Sequence, residues 1–80
     1  MHYTYILKSL KQSGAVYIGY THDLKSRLAE HNAGKGSHTS KYAPWTIETY
    51  LSFNDKEEAE NFERYLKSSS GFAFRNKHLV

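Results

Sequence analysis

Residues 2–8 alternate in character. Tyr3, Tyr5 and Leu7 fall on one side and Thr4, Ile6 and Lys8 on the other, which is the period-two signature of a strand. Lys11-Gln12-Ser13-Gly14 reads as a turn, and the β-rich run Ala-Val-Tyr-Ile-Gly-Tyr over 15–20 reads as a second strand, so the two form a hairpin. A register with Leu7 opposite Ala15 sets Tyr5 opposite Tyr17 and Tyr3 opposite Gly19, with both tyrosines on one face. Thr21 or Asp23 can cap a helix running to about Asn32, with Gly34 as its left-handed stop. A polar, basic loop follows over 33–44. Ile47, Thr49, Leu51 and Phe53 share one side of a third strand over 46–53. From Asn54 or Asp55 a second helix runs to about Ser68 with the apolar stripe Ala59, Phe62, Tyr65 and Leu66. Ser68-Ser69-Ser70-Gly71 ends it, and a short helical turn over Phe72–Lys77 closes the chain. The fold expected is α+β: a three-stranded, mainly antiparallel sheet with the first strand in the centre, two main helices and a short C-terminal helix.

Eighty residues, 39% of them hydrophobic, make one small domain with a modest core. The chain has no cysteine, so disulfide frameworks and thiolate metal sites are excluded. No run is long enough for a membrane span, and the start Met1-His2-Tyr3-Thr4-Tyr5 lacks a signal-peptide layout, so the cytoplasm is the expected location. Eleven Lys and Arg against eight acids give a formal charge of +3, which suits a polyanionic partner without requiring one. Seven Tyr, four Phe and one Trp are many rings for so small a domain, and some of them must line a surface or cleft.

Several polar residues lie on or beside apolar helix faces. At about 100° per residue, Leu24 and Leu28 set the inner face of the first helix, and Arg27 and His31, four apart, lie on that side. Arg27 cannot give up its charge and could grip a phosphate with its planar fork; the alternative is a snorkelling arginine and a histidine near a helix C-terminus. Glu63 flanks the buried stripe of the second helix. It needs a cation, which is either a divalent metal or an ordinary salt bridge to Lys67 or Arg27. A tyrosine hydroxyl that is to accept a proton needs nearby cations, such as Arg27 or Lys41 for Tyr17. No histidine pair has zinc-protease spacing, and there is no glycine-rich phosphate loop or nucleophile elbow.

The ordered set is more specific than any of its parts. Tyr5 is followed by Tyr17-Ile18-Gly19, Thr21, then Arg27-x-x-x-His31-Asn32 and finally Ala59-x-x-x-Glu63-x-x-x-Lys67. In this order and over essentially the whole chain it resembles the GIY-YIG nuclease superfamily, in particular its small stand-alone bacterial members. One motif departs: Tyr3-Thr4-Tyr5 stands where the family has Gly-Ile-Tyr.

The resemblance implies a single nuclease domain over 1–80 that hydrolyses a phosphodiester of DNA with Mg²⁺ or Mn²⁺. It implies that Tyr17 assists or deprotonates the attacking water, that Tyr5 lines the site and that Arg27 holds the scissile phosphate. His31 relays a proton, and Glu63 carries the metal. Lys41 and Asn76 fall where basic and amide residues assist in some members, and Lys35 adds charge to the basic loop for nucleic-acid binding. One site cuts one strand, so a monomer nicks. Larger members attach segments that choose the target. Lacking one, this chain is expected to bind weakly with little sequence preference, to act on branched or damaged DNA, or to be directed by a protein partner in repair or recombination; RNA stays open as a substrate. The rival reading is a nucleic-acid-binding module of the same fold that cuts nothing, and a third is a structural domain whose tyrosines contact proteins.

Overall fold

A computed structural model describes residues 1–34 and 39–79. Strands β1 (His2–Ser9), β2 (Val16–Thr21) and β3 (Trp45–Phe53) form an antiparallel sheet in the order β2-β1-β3. Between them lies helix α1 (Leu24–Asn32), with a short 3₁₀ turn at Ser40–Tyr42 inside the segment expected to be loop. Helices α2 (Lys56–Leu66) and α3 (Ser69–His78) follow β3.

β1 is central because both of its faces are apolar enough to be covered. Thr4, Tyr5, Ile6 and Leu7 are all buried, and alternation sends Tyr5 and Leu7 to one side and Thr4 and Ile6 to the other. On the first side Tyr5, Leu7 and Trp45 form the core, with Leu24 and Leu28 of α1 packed against them. On the second side the Thr4 hydroxyl donates to the Ala59 carbonyl of α2 at 2.6 Å, and Ala59 and Leu66 are fully buried. α1 and α2 therefore cover opposite faces. Asp23, Asp55 and Ser68 cap α1, α2 and α3, each accepting from a backbone N–H of the first turn.

The hairpin register differs from expectation. Tyr5 pairs with Gly19, Leu7 with Tyr17 and Tyr3 with Thr21, a slip of two residues that lengthens the connection. A two-residue slip keeps every side chain on its face, so Tyr5 and Tyr17 still share one, but diagonally. A second correction is at β3. The pairing runs Ile6–Thr49 and then Leu7–Ile47, so Glu48 is an extra residue in the ladder. That bulge turns Ile47 toward the α1 side, into the core with Trp45, while Phe53 meets Phe62 of α2 at 5.8 Å between ring centroids. Ile47, Thr49, Leu51 and Phe53 thus do not all share a face.

Two further expectations change at the C-terminus. Tyr65 is exposed rather than part of a buried stripe, and α3 is a ten-residue helix rather than a short turn. The serine run ends α2 and starts α3 at once, through the Ser68 cap. Gly71 is required there because a Cβ on it would run into the Tyr65 carbonyl at the end of α2.

Candidate active site at the β2 edge

Strand β2 is one edge of the sheet, and four of the residues singled out in the sequence, Tyr5, Tyr17, Arg27 and His31, meet beside it. The ring of Tyr5 crosses over Gly19, so that a Cβ on Gly19 would lie 2.5 Å from the Tyr5 hydroxyl and 3.1 Å from the Tyr17 ring. Glycine inside a strand marks such a close approach. Tyr5 is 1% exposed and cannot swing aside, so Gly19→Ala is expected to cost about 1–3 kcal/mol of stability through overpacking. It should also displace the Tyr5 hydroxyl. Chemical denaturation checks the first effect and loss of the Tyr5–His31 contact by NMR the second.

His31 is the buried residue of α1. Its Nε2 lies 3.1 Å from the Tyr5 hydroxyl and its Nδ1 lies 3.0 Å from Thr39 Oγ1. Its ring packs 4.8 Å from that of Tyr17. Arg27 is half-buried one turn earlier, with Nε on Glu30 at 3.0 Å, and lies in a small cleft of about 210 Å³ with Thr21, Asp23 and Ser26. Glu63 approaches from α2, on the other face of the sheet. Its carboxylate pairs with Lys67 at 2.8 Å, and its charge is felt at the Tyr5 hydroxyl.

Burial is the main cause that pushes the Tyr5 hydroxyl up to about 12, with Tyr17 and Glu63 adding to it and Arg27 opposing. Burial, then the Arg27 charge, pulls His31 below the ordinary histidine range against the smaller effect of Glu30. With the hydroxyl protonated and the imidazole neutral, one ring nitrogen of His31 donates and the other accepts, Nε2 bonding Tyr5 and Nδ1 bonding Thr39.

The depressed His31 value leaves the unfolded chain binding more protons below about pH 6.5, so stability falls as the pH drops from there. The raised Tyr5 value contributes stability fully present below about pH 10 and lost as the pH rises toward 12. Thermal unfolding midpoints across pH should show both arms, and Tyr5→Phe should flatten the alkaline one.

The remaining candidate residues fall elsewhere. Lys41 is exposed and sits over the Tyr42 ring at 5.3 Å, and its carbonyl accepts from Lys11. Asn76 is exposed on α3 and lines a cavity with Lys8, Lys11 and Glu48, away from the cluster. Lys35 lies outside the described residues. Sequence reading missed Thr39, which lies in an irregular segment and meets His31 only through the tertiary fold. It also left the role of Asn32 unstated. That amide clamps the start of β3, accepting from Trp45 N at 2.5 Å and donating to Trp45 O at 3.1 Å, and so ties the end of α1 to the sheet.

Among the described residues no group of three or more His, Asp or Glu side chains converges as a metal cage. Glu63 alone fits a different arrangement. Mg²⁺ keeps several waters and commonly takes one or two carboxylates besides substrate phosphate oxygens, and Glu63 is partly open to solvent with only a surface lysine on it. No helix among the described residues is long and apolar enough to cross a membrane.

Comparison with known proteins agrees with this layout. Residues 1–77 match the GIY-YIG catalytic domain. A UPF0213 protein of Streptococcus pyogenes serotype M3 is 42% identical over 66 residues, covering 81% of this chain and 70% of its own length. One from Halobacterium salinarum is 39% identical over 71 residues, covering 88% and 90%. No solved structure matches. With the family motifs gathered at one sheet edge and the match running through nearly every element, the chain belongs to the GIY-YIG family.

Proposed function

We propose that this protein is a metal-dependent endonuclease that hydrolyses one phosphodiester of DNA and leaves a nick. The observation that carries the reading is the convergence of Tyr5, Tyr17, Arg27 and His31 at the β2 edge, within the field of Glu63. Membership of the GIY-YIG family supports a nuclease-type function on nucleic acid, and such nucleases generally depend on a divalent metal.

Arg27 binds the scissile phosphate. Its Nε is held by Glu30, which fixes the side chain beside the Tyr5 hydroxyl, and its planar fork suits the non-bridging oxygens. Tyr17 is half-buried against His31 and orients the attacking water, accepting its proton directly or passing it on. Tyr5 holds its proton up to about 12, so it is a donor rather than the base. His31 is a positioning residue, and the chain from Tyr5 through His31 to Thr39 gives a route along which a proton can move. Glu63 would hold Mg²⁺ or Mn²⁺, which when bound would supply positive charge to stabilise the leaving oxygen.

A net charge of +3 supports weak, sequence-tolerant binding, with specificity from a branched or damaged structure or from a protein partner, in DNA repair or recombination in the cytoplasm. The Lys67 ion pair favours a second reading, in which Glu63 is neutralised on its own helix and the domain binds nucleic acid without cutting. Supercoiled plasmid separates them. The nuclease gives open circles with Mg²⁺ or Mn²⁺ and none with chelator. Binding that weakens with salt and never yields open circles would establish the second reading.

A further inference from the structure

We propose that a cavity beside the catalytic face, walled by aromatic rings and floored by the buried Arg75, takes one unpaired nucleotide flanking the cut. The inference deepens the nuclease reading and rests on it for the ligand being nucleic acid. Arg75 of α3 is 6% exposed. Its Nε has no hydrogen-bond partner, and no carboxylate among the described residues pairs with it. An arginine cannot discharge itself, so a buried guanidinium lacking a counter-charge is a costly feature to keep without use. Its guanidinium lies over the Phe72 ring, with Cζ 4.8 Å from the ring centroid.

Arg75 lines two adjacent cavities. One, of about 550 Å³, also has Tyr17, Thr39, Tyr42, Trp45 and Phe72 on its walls. The other, of about 700 Å³, carries Lys8, Lys11 and Asn76, and its one carboxylate, Glu48, is paired with Lys8 at 3.3 Å. The first is joined to the candidate site through Tyr17, and through Thr39, which holds His31. Phe72 is more than half exposed and lines the same cavity. A cation at the floor and aromatic faces on the walls match a phosphate and a base. A base stacked within a duplex cannot enter such a cavity, so the flanking nucleotide must be unpaired, as at a flap, fork or gap.

Trp45 is the sole tryptophan and walls this cavity, so its fluorescence reports occupancy. The full chain, held in chelator so that nothing is cut, is titrated with hexathymidylate, with the same sequence in a duplex, and with thymidine and its 5′-monophosphate. The single strand should perturb Trp45 saturably and bind at least tenfold tighter than the duplex, and the monophosphate should outcompete the nucleoside. Arg75→Leu should weaken the single-strand response at least tenfold while leaving the melting temperature unchanged or higher, since a buried unpaired charge is removed. Equal binding by the variant, no preference for the single strand, or equal binding of nucleoside and monophosphate would each overturn the proposal. If the leucine variant does not fold, the nucleoside comparison on the unaltered chain decides. Because no cleavage is read, failure of plasmid nicking with a positive Trp45 titration would end the nuclease reading alone, and the reverse would end only the cavity.

Discussion

Glu63→Ala should abolish metal-dependent nicking of supercoiled plasmid, a loss of at least about a thousandfold, while leaving the fold intact. Structurally, Glu63 does little that alanine cannot: its one ion pair is an i,i+4 contact to a half-exposed Lys67, of a kind that contributes about 0.3–0.5 kcal/mol. The neighbours that hold α2 to the sheet, Ala59 and Leu66, are untouched. Chemically, the substitution removes the carboxylate whose charge is felt at the Tyr5 hydroxyl and to which the proposed metal is assigned. Lys67→Ala is the control, since it breaks the same ion pair and keeps the carboxylate. Loss of nicking in Glu63→Ala with retention in Lys67→Ala is expected. Full activity in the glutamate variant would end the assignment of the metal to Glu63. Salt-dependent binding to DNA should survive in both, because removing one acid does not diminish a basic surface.

How much of this could be read from the sequence depends on the range of the interaction involved. The alternation of Tyr3–Lys8 and the caps at Asp23 and Asp55 are local, and they place β1, α1 and α2 as expected. The central position of β1 is foreshadowed by a strand apolar on both faces. The hairpin register was not fixed by pattern, because a slip of two residues preserves every face and only the turn chooses between the two pairings. The Glu48 bulge has no signature in an otherwise regular alternation, so Ile47 was placed on the wrong side. At the site, the helix spacing of Arg27 and His31 put both on the inner side of α1, but their partners are tertiary. Thr39 and the crossing of Tyr5 over Gly19 arise only once α1 and the sheet are packed. Arg75 carries no local signal either, since its burial arises only when α3 packs on the rest of the fold.

Arg27→Ala should also cost about a hundredfold to a thousandfold in nicking, and here the reason for the loss can be divided. Arg27 acts on the site in two ways. Its charge lowers the pKa of both His31 and Tyr5, and its fork offers paired donors to a phosphate. Removing the charge relieves the repulsion that disfavours protonated His31, so the histidine should titrate at higher pH in the variant, visible in its ring-proton NMR shift. The same removal takes away an influence that favours the Tyr5 phenolate, so Tyr5 should hold its proton still more firmly. Arg27→Lys restores a positive charge at a similar place but not the planar fork. If Arg27 serves only by tuning its neighbours, the lysine variant should recover both the His31 titration and most of the activity. If it grips the phosphate, the titration should recover while the activity stays low, which is the expected result. Recovery of both would transfer the phosphate-holding role to another cation and leave Arg27 as an electrostatic neighbour of Tyr5 and His31.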